Sequence, residues 1–237
     1  MNSKNPSKRR PKVVIVIPAL NEEEAIGRVL DDIPRHLVSE VIVVDNGSTD
    51  RTPEIAKRKG AKVVFEPKRG YGAACYAGFK AAPTDTDIVV FMDGDYSDHP
   101  EELPLILGPI LRGEADLVIG SRMRGRRERG ALPPHSLFGN WLASSLLRLI
   151  YGQKVTDLGP FRAIRYECLK MLGMKDRGFG WTVEMQARAA RKGLRVVEVP
   201  VSYRRRIGKS KITGNLLNSI RAGYKILSTI FKVALGW

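Results

Sequence analysis

The stretch VVIVIPALNEE, residues 13–23, sets the architecture of the first half of the chain. VVIVI (13–17) is short, apolar and β-branched, as in a strand that is covered on both faces. In the loop behind it, Asn21 followed by Glu24 resembles a capping box that opens a helix over residues 22–33. A covered strand followed by a helix is the repeating unit of an α/β fold.

The same unit recurs along the first half of the chain. Further strand-like runs are VIVV (41–44), KVVF (62–65), IVVFM (88–92) and DLVIG (116–120). Thr52 reads as an N-cap with Pro53 at the first helical position, a second helix is expected around 73–82, and another opens at Pro100. This alternation predicts an α/β, Rossmann-like, mainly parallel sheet flanked by helices, with right-handed crossovers.

Polar and acidic loops follow most of these strands. The first strand runs into PALNEE, the second into DNGSTD, the fourth into DGDYSD and the fifth into GSR. In open parallel sheets the ligands gather at the carboxyl ends of the strands. The sequence therefore predicts a binding site at this edge of the sheet.

The acidic run within FMDGDYSDHP (91–100) is the most conspicuous of these loops. Asp93, Asp95 and Asp98 repel one another unless a positive group lies between them. Asp93 and Asp95 can lean towards one Mg²⁺ or Mn²⁺ across a turn that Gly94 permits, because hard cations prefer oxygen ligands. The alternative is a solvated acidic turn. Asp98 is explained by helix-start chemistry ahead of Pro100.

The charge balance points to a polyanionic partner. The 237 residues include 40 Lys and Arg against 25 Asp and Glu, for a net charge of +15. Basic runs at 122–129 and 204–211 suit nucleic acid, an anionic membrane surface or a phosphorylated substrate. A nucleic-acid-binding module is the less favoured hypothesis, since the basic runs lack interleaved aromatics. Two distant cysteines fit a reducing cytoplasm.

The two ends of the chain are expected to lie outside the main domain. Residues 1–12 are basic and polar and predict a disordered tail, whereas 213–237 predict an amphipathic helix. Its apolar positions are Leu217, Ile220, Tyr224, Leu227, Phe231 and Ala234, with Arg221, Lys225 and Lys232 on the other side. Such a helix lies in a membrane interface or packs on the protein's own core, and the sequence leaves both open.

Taken together, the motifs resemble those of glycosyltransferase family 2, which has the GT-A fold. They are VVIVIPALNEE (13–23), VIVVDNGSTDRT (41–52), RGYGAACYAGF (69–79), VVFMDGDYSDHPEEL (89–103), DLVIGSR (116–122), TDLGPFRAIR (156–165) and GWTVEMQARAARKGLRVVEVPVSYRRRIGKSKI (180–212). Within the family they are most similar to the polyprenyl-phosphate (dolichol-phosphate) mannosyl- and glucosyltransferases. The resemblance implies one GT-A domain over residues 13–212.

The resemblance implies a role for individual residues. Donor contacts fall on Pro18, Ala19, Asn21, Glu22, Asp45, Asn46 and Ser48, with Gly72 added although a packing turn explains it more simply. Asp93 and Asp95 match the metal-holding pair, and Asp95, Arg122 and Arg162 are the catalytic candidates. Arg122, Arg206, Ser210 and Lys211 match phosphate contacts, and a further basic residue past GSR is Arg129, His135 or neither.

Two positions depart from the family pattern. Ser97 stands where many polyprenyl-phosphate members carry a Gln near the metal. Asn46 stands where the family commonly has a second Asp, which weakens the case for a charged contact with the ribose at this position.

The reaction implied by the resemblance is an inverting, metal-assisted transfer of a hexose from UDP-glucose or GDP-mannose to a polyprenyl phosphate. A lipid phosphate is already anionic and needs no general base, whereas a hydroxyl acceptor would need a carboxylate such as Asp157 or Glu184. Glu184 could equally pair with Arg188 at i, i+4. We expect a cytoplasmic enzyme at the inner face of the membrane, with an anionic membrane surface and a separate membrane protein as partners and no nucleic acid.

Overall fold

A computed structural model describes residues 9–208 and 216–237, without the side chains of 216–220. Within these ranges the strands are β1 (Val13–Ala19), β2 (Glu40–Asp45), β3 (Lys62–Phe65), β4 (Ile88–Phe91), β5 (Leu117–Ser121), β6 (Arg162–Arg165) and β7 (Val196–Pro200). They form one sheet in the order β3-β2-β1-β4-β6-β5-β7. All neighbouring pairs are parallel except those of β6, which runs antiparallel to β4 and β5.

The helices of the described ranges cover both faces of the sheet. They are α1 (Ile26–Asp32), α2 (Thr52–Arg58), α3 (Tyr71–Ala81), α4 (Leu103–Leu111), α5 (Pro134–Tyr151), α6 (Tyr166–Leu172), α7 (Trp181–Arg191) and α8 (Leu216–Ala234). None of them combines the length and the apolar character that a bilayer crossing requires, as far as the described residues go.

The alternating side chains of β1 show why its sequence is apolar throughout. Val14 and Val16 point into the core under α3, α5, α7 and α8, whereas Ile15 and Ile17 point into the core under α1, α2 and α4. Each of these four residues is fully buried or nearly so. A strand covered on both faces therefore needs apolar residues at consecutive positions.

The five strands expected from apolar runs are confirmed, and two more complete the sheet. The strand β6 lacks the apolar run that identifies the other strands, because its residues RAIR include two arginines. Arg162 is nevertheless fully buried within this strand. The prediction of a mainly parallel α/β sheet is confirmed, with β6 as the antiparallel exception.

The capping box proposed for Asn21 and Glu24 is wrong. The helix α1 begins at Ile26, and Ala25 in the N-cap position has no side-chain cap. Asn21 adopts a left-handed φ of 52° and accepts a hydrogen bond from the backbone N–H of Thr49 at 2.8 Å. The polar residues after β1 therefore tie this loop to the loop after β2 instead of starting a helix.

Part of the N-terminal tail is fixed to the domain. Arg9 forms an ion pair with Asp87 at 2.8 Å, and the backbone N–H of Lys12 donates to the same carboxylate at 2.7 Å. The expected disorder therefore does not extend to residues 9–12, while residues 1–8 lie outside the described part of the chain.

The C-terminal helix α8 packs on the core with a different face from the one predicted. Ala222, Ile230 and Val233 are buried, whereas Tyr224 and Phe231, expected on the apolar face, are exposed. The side chains of the predicted Leu217 and Ile220 are outside the described residues. The helix thus carries two apolar stripes, one buried and one exposed, which overlap in the sequence pattern.

Candidate active site

A cavity of about 440 Å³ opens at the carboxyl ends of β1 and β4. The strand order reverses here, since β2 lies on one side of β1 and β4 on the other. Such reversal points are where open α/β sheets bind ligands. The sequence-predicted residues in its lining are Pro18, Ala19, Glu22, Asn46, Asp93, Asp95 and Arg206.

Asp95 is held in place by its own loop. Its Oδ1 accepts hydrogen bonds from the backbone N–H of Ser97 at 2.9 Å and from the Ser97 hydroxyl. Its Oδ2 lies 3.1 Å from the Arg206 guanidinium. Ser97 is buried, so in this chain it orients Asp95 from behind.

Asp98 belongs to the acidic cluster, and its assignment to helix-start chemistry is wrong. The N-cap position of the short 3₁₀ turn Pro100–Glu102 is His99, without a side-chain cap. Asp98 is buried, and its Oδ2 accepts the backbone N–H of Asp93 at 3.0 Å. Burial, together with the charge of Asp95, raises the pKa of Asp98 to about 7.

The acidic cluster fits a divalent cation that shares its coordination with a ligand. Burial and the charges of Asp95 and Asp98 raise the pKa of Asp93 well above its ordinary value. The Oδ1 atom of Asp98 is buried without a hydrogen-bond partner. No group of three or more Asp, Glu, His or Cys in the described ranges is arranged to hold a metal by itself. Asp93 and Asp95 could therefore hold Mg²⁺ or Mn²⁺ together with phosphate oxygens.

Arg206 provides the positive charge at the rim of the cavity. Its guanidinium bridges Glu22 at 3.0 Å and Asp95 at 3.1 Å. The backbone N–H of Ile207 donates to the carbonyl of Asp95 at 2.9 Å, which fixes the basic segment beside the acidic loop. The predicted phosphate contacts Ser210 and Lys211, further along this segment, lie outside the described residues.

The contacts of Asn46 account for the presence of Asn where the family commonly has a second Asp. Its side-chain amide donates to the carbonyls of Glu66 at 2.8 Å and Lys68 at 2.9 Å, and its oxygen accepts the N–H of Gly70 at 2.8 Å. An Asp carboxylate could not donate to the two carbonyls. Asn46 therefore shapes the wall of the cavity by joining the loop after β2 to the loop before α3.

Other predicted donor contacts serve to shape the loops. Asp45 is buried and accepts the N–H of Ser48 at 2.8 Å, and the Ser48 hydroxyl accepts the N–H of Asn21 at 3.0 Å. None of these three side chains is part of the cavity lining. The placement of Gly72 as a donor contact is not supported, because a Cβ there would lie 2.5 Å from the Asp176 carbonyl, which makes it a packing glycine.

Arg122 and Asp157 form a closed ion pair. The guanidinium donates to both carboxylate oxygens, at 2.7 and 2.8 Å, and the backbone N–H of Arg122 donates to the same group. Arg122 also lies over the ring of Tyr203, 5.0 Å from its centre. Asp157 is fully buried, so it holds Arg122 and does not reach the cavity as a base.

The structure speaks against Arg162 as a phosphate contact and Glu184 as a base. The Arg162 guanidinium is fully buried and donates to the carbonyls of Leu158, Gly159 and Thr182, and burial lowers its pKa to about 10. Glu184 is also fully buried and pairs with Arg188 at 2.6 Å. The i, i+4 pairing weighed for Glu184 is therefore the one observed.

The remaining basic candidates are exposed at some distance along the chain from the acidic loop. His135 lies in the first turn of α5, and Arg129 lies in the loop before it. Neither contributes to the cavity lining.

Sequence reasoning missed Tyr71 and Phe179, which line the cavity. The hydroxyl of Tyr71 is buried without a hydrogen-bond partner. The glycines on both sides of each aromatic residue, Gly70-Tyr71-Gly72 and Gly178-Phe179-Gly180, are the signal that could have identified them.

The fold and the acidic cavity define the chain as a GT-A transferase. It belongs to glycosyltransferase family 2, since the model described as "Glycosyl transferase family 2" matches residues 14–173. An uncharacterised glycosyltransferase of Mycobacterium tuberculosis is 42% identical over 218 residues, covering 89% of this chain and 94% of the relative. A dolichyl-phosphate hexose transferase of Haloferax volcanii is 36% identical and covers 94% of both chains. The chain is therefore a family 2 glycosyltransferase.

Solved structures agree with this fold. Glucosyl-3-phosphoglycerate synthase from Mycobacterium tuberculosis, in complex with Mn²⁺, UDP-glucose and phosphoglyceric acid, superimposes with a TM-score of 0.76. The two proteins are 26% identical, with 94% of this chain and 80% of the other covered. That relative binds its nucleotide sugar together with a metal ion.

Proposed function

We propose that this glycosyltransferase moves a hexose from a nucleotide-diphosphate sugar, UDP-glucose or GDP-mannose, to a polyprenyl or dolichyl phosphate with inversion at the anomeric carbon. The observation that carries the proposal is the open cavity that Asp93, Asp95 and Arg206 line together, with Arg206 paired to Asp95. The Haloferax relative, a dolichyl-phosphate hexose transferase similar over nearly its whole length, supports the lipid-phosphate acceptor.

The donor is expected to occupy the cavity with its diphosphate beside the acidic loop. Asp93 and Asp95 would hold Mg²⁺ or Mn²⁺ there, and the bound ion would stabilise the negative charge of the departing nucleoside diphosphate. Asp95 is oriented for this role by Ser97. Arg206 lies close enough to add a second positive charge once it exchanges its carboxylate partners for phosphate oxygens.

The acceptor is expected to approach from the side of Arg122. A phosphate oxygen attacks the anomeric carbon directly, because a phosphate carries its negative charge before the reaction begins. The paired Asp157 keeps the guanidinium plane of Arg122 fixed, and a fixed arginine plane is suited to bidentate contact with phosphate. No carboxylate base is required for this acceptor.

A hydroxyl acceptor is the alternative, and the placement of the candidate bases disfavours it. Asp157 and Glu184 are both fully buried and both pair with an arginine. A base must reach the proton that it removes.

A matrix of donors and acceptors tests the proposal. The full chain is incubated with labelled UDP-glucose or GDP-mannose and Mn²⁺ or Mg²⁺, against undecaprenyl phosphate, undecaprenol or 3-phosphoglycerate. We expect labelled lipid from one donor with undecaprenyl phosphate and none with undecaprenol, and an inverted anomeric centre by NMR. Transfer to the alcohol or to phosphoglycerate without transfer to the lipid phosphate would overturn the proposal.

A further inference from the structure

The helix α5 carries two apolar stripes on opposite sides. Ala143 and Leu147 face the core and are fully buried. Phe138, Trp141 and Leu149 recur at helical spacing on the other side, and their exposed fractions are 62%, 61% and 81%. A helix that is apolar on both sides is normally covered on both sides. Its outer stripe therefore lacks a cover within the described part of the chain.

The helix α8 repeats this arrangement. Ala222 and Val233 are buried against the core, whereas Tyr224, Phe231 and Leu235 lie on the opposite side of the helix or just beyond its end. Tyr224 is 75% exposed and Leu235 is 88% exposed.

The two outer stripes lie on neighbouring helices. Helices α5 and α8 pack against each other and share one hydrophobic core, and the hydroxyl of Tyr151 at the end of α5 donates to the Ile230 carbonyl of α8. We call the combined surface the outer apolar face; it consists of Phe138, Trp141, Leu149, Tyr224, Phe231 and Leu235. Groups of large exposed apolar side chains on neighbouring helices are typical of interaction sites.

The charges that α5 and α8 themselves carry are of one sign. The sequence has no Asp or Glu between residues 130 and 156 and none after Glu198. The charged side chains that these helices expose include Arg148, Arg221 and Lys232. A second copy of the chain would bring these cations together, whereas an anionic surface would neutralise them.

The outer apolar face is joined to the rim of the cavity by the arginine-rich loop 122–129. The N–H of Tyr203 donates to the Arg126 carbonyl at 2.8 Å, and the N–H of Arg204 donates to the Ser97 carbonyl at 3.0 Å. The loop is therefore fixed beside the acidic loop, and α5 begins shortly after it. Its exposed arginines extend the positive surface from the cavity towards α5.

We infer that the outer apolar face is a docking surface for an anionic bilayer. Its aromatic and leucine side chains would enter the boundary between headgroups and acyl chains, and the surrounding arginines and lysines would contact lipid phosphates. The inference does not depend on which reaction the cavity performs, because it rests on helices that do not line the cavity.

Vesicle binding by the full chain tests this inference. The protein is sedimented with phosphatidylcholine vesicles that contain or lack phosphatidylglycerol, at low and high salt. We expect binding only to the vesicles with phosphatidylglycerol, and release at high salt. The double variants Phe138→Ser/Trp141→Ser and Tyr224→Ser/Phe231→Ser should each bind at least tenfold more weakly.

Phe65→Ser is the matched control, since Phe65 is an aromatic residue that is 64% exposed on the edge strand β3. We expect this variant to bind vesicles like the wild type.

Equal vesicle binding by all variants would overturn the inference, as would a wild-type protein that does not bind vesicles. A wild-type dimer that the double variants dissociate in analytical ultracentrifugation would also overturn it, in favour of a second copy as the occupant. Transfer to a short-chain, water-soluble polyprenyl phosphate should be unchanged in the double variants, which separates this inference from the proposed function.

Discussion

Two sets of carboxylates near the cavity differ in how they are neutralised: those at the front, which line the cavity, and those at the back, which are fully buried. Asp93 and Asp95 line the cavity among other carboxylates, and Asp98 beside them has an oxygen without a partner. Asp157 and Glu184, in contrast, are fully buried, and each is neutralised by an arginine. The front carries more carboxylates than its ion pairs with Arg206 neutralise, and the back carries completed ion pairs.

This difference indicates which carboxylates take part in catalysis and which stabilise the fold. A completed buried ion pair has satisfied hydrogen bonds and is costly to disturb, so it fixes the structure. A cluster of neighbouring carboxylates is unfavourable until a cation neutralises it, so it provides binding energy for that cation. Substitutions in front should therefore have the largest effect on activity, whereas substitutions behind should act through stability or through the arginine that each buried carboxylate holds.

The largest effect is expected from Asp95→Asn. It removes the negative charge of a residue in the cavity lining while it keeps the shape of the side chain. Losing one preorganised electrostatic contact to the transition state typically costs about 10²–10³ in rate. We expect a fall of this size in hexose transfer, measured with labelled donor, at an almost unchanged melting temperature.

Asp85→Asn is the matched control for Asp95→Asn, because Asp85 is exposed and pairs with Lys12 away from the cavity lining. It should transfer hexose like the wild type. Full transfer activity in Asp95→Asn would show that the carboxylates lining the cavity are not the ones on which activity depends.

Arg162→Met should lower stability. It removes the buried guanidinium that donates to three carbonyl groups, which costs about 3 kcal/mol or more. For a chain of this size that loss lowers the melting temperature by roughly 6–12 °C. Thermal unfolding followed by circular dichroism measures it, with the exposed Arg58→Met as the control. A loss of transfer at an unchanged melting temperature would instead support a direct phosphate contact.

Asp157→Asn should have a smaller effect on transfer. It weakens the orientation of Arg122 without removing the arginine, so we expect about a tenfold loss of kcat/KM, or about 1.4 kcal/mol, through a higher KM for the lipid phosphate. A general base would cost about 10²–10⁴ in kcat. Steady-state kinetics with varied acceptor distinguish the two outcomes, and a fall confined to kcat would revive the hydroxyl-acceptor alternative.

Ser97→Ala should give the smallest change. The backbone N–H still donates to Asp95, and only the hydroxyl bond is lost. A net contribution of about 0.5–1.5 kcal/mol corresponds to roughly a two- to tenfold fall in transfer. A loss as large as that of Asp95→Asn would mean that Ser97 itself contacts the metal.

The strands and the cavity were largely predictable from the sequence. Runs such as VVIVI identify strands covered on both faces, and the polar loops behind them meet at one edge of the sheet. The strand β6 was not predictable in this way, because in the sequence the buried Arg162, which donates to three carbonyl groups, looks like a surface residue.

The partners of individual charges were not predictable either. Asp98 and Asp157 are both acidic residues within sequence motifs. Their spacing along the chain does not reveal that Asp98 has an oxygen without a hydrogen-bond partner, whereas both oxygens of Asp157 accept hydrogen bonds from Arg122. Likewise, the period of α8 identifies an amphipathic helix but not which of its two apolar stripes is buried. These distinctions depend on contacts between distant segments.

The most direct test of the central claim is the effect of Mn²⁺ on nucleotide affinity. Isothermal titration of UDP and GDP into the wild type and Asp95→Asn is performed with Mn²⁺ or with EDTA. Because the cavity lining has an excess of carboxylates, we expect Mn²⁺ to tighten the binding of one nucleotide at least tenfold in the wild type. We expect Asp95→Asn to lose this gain in affinity. An equal gain in both proteins, or no effect of Mn²⁺ on either nucleotide, would contradict it.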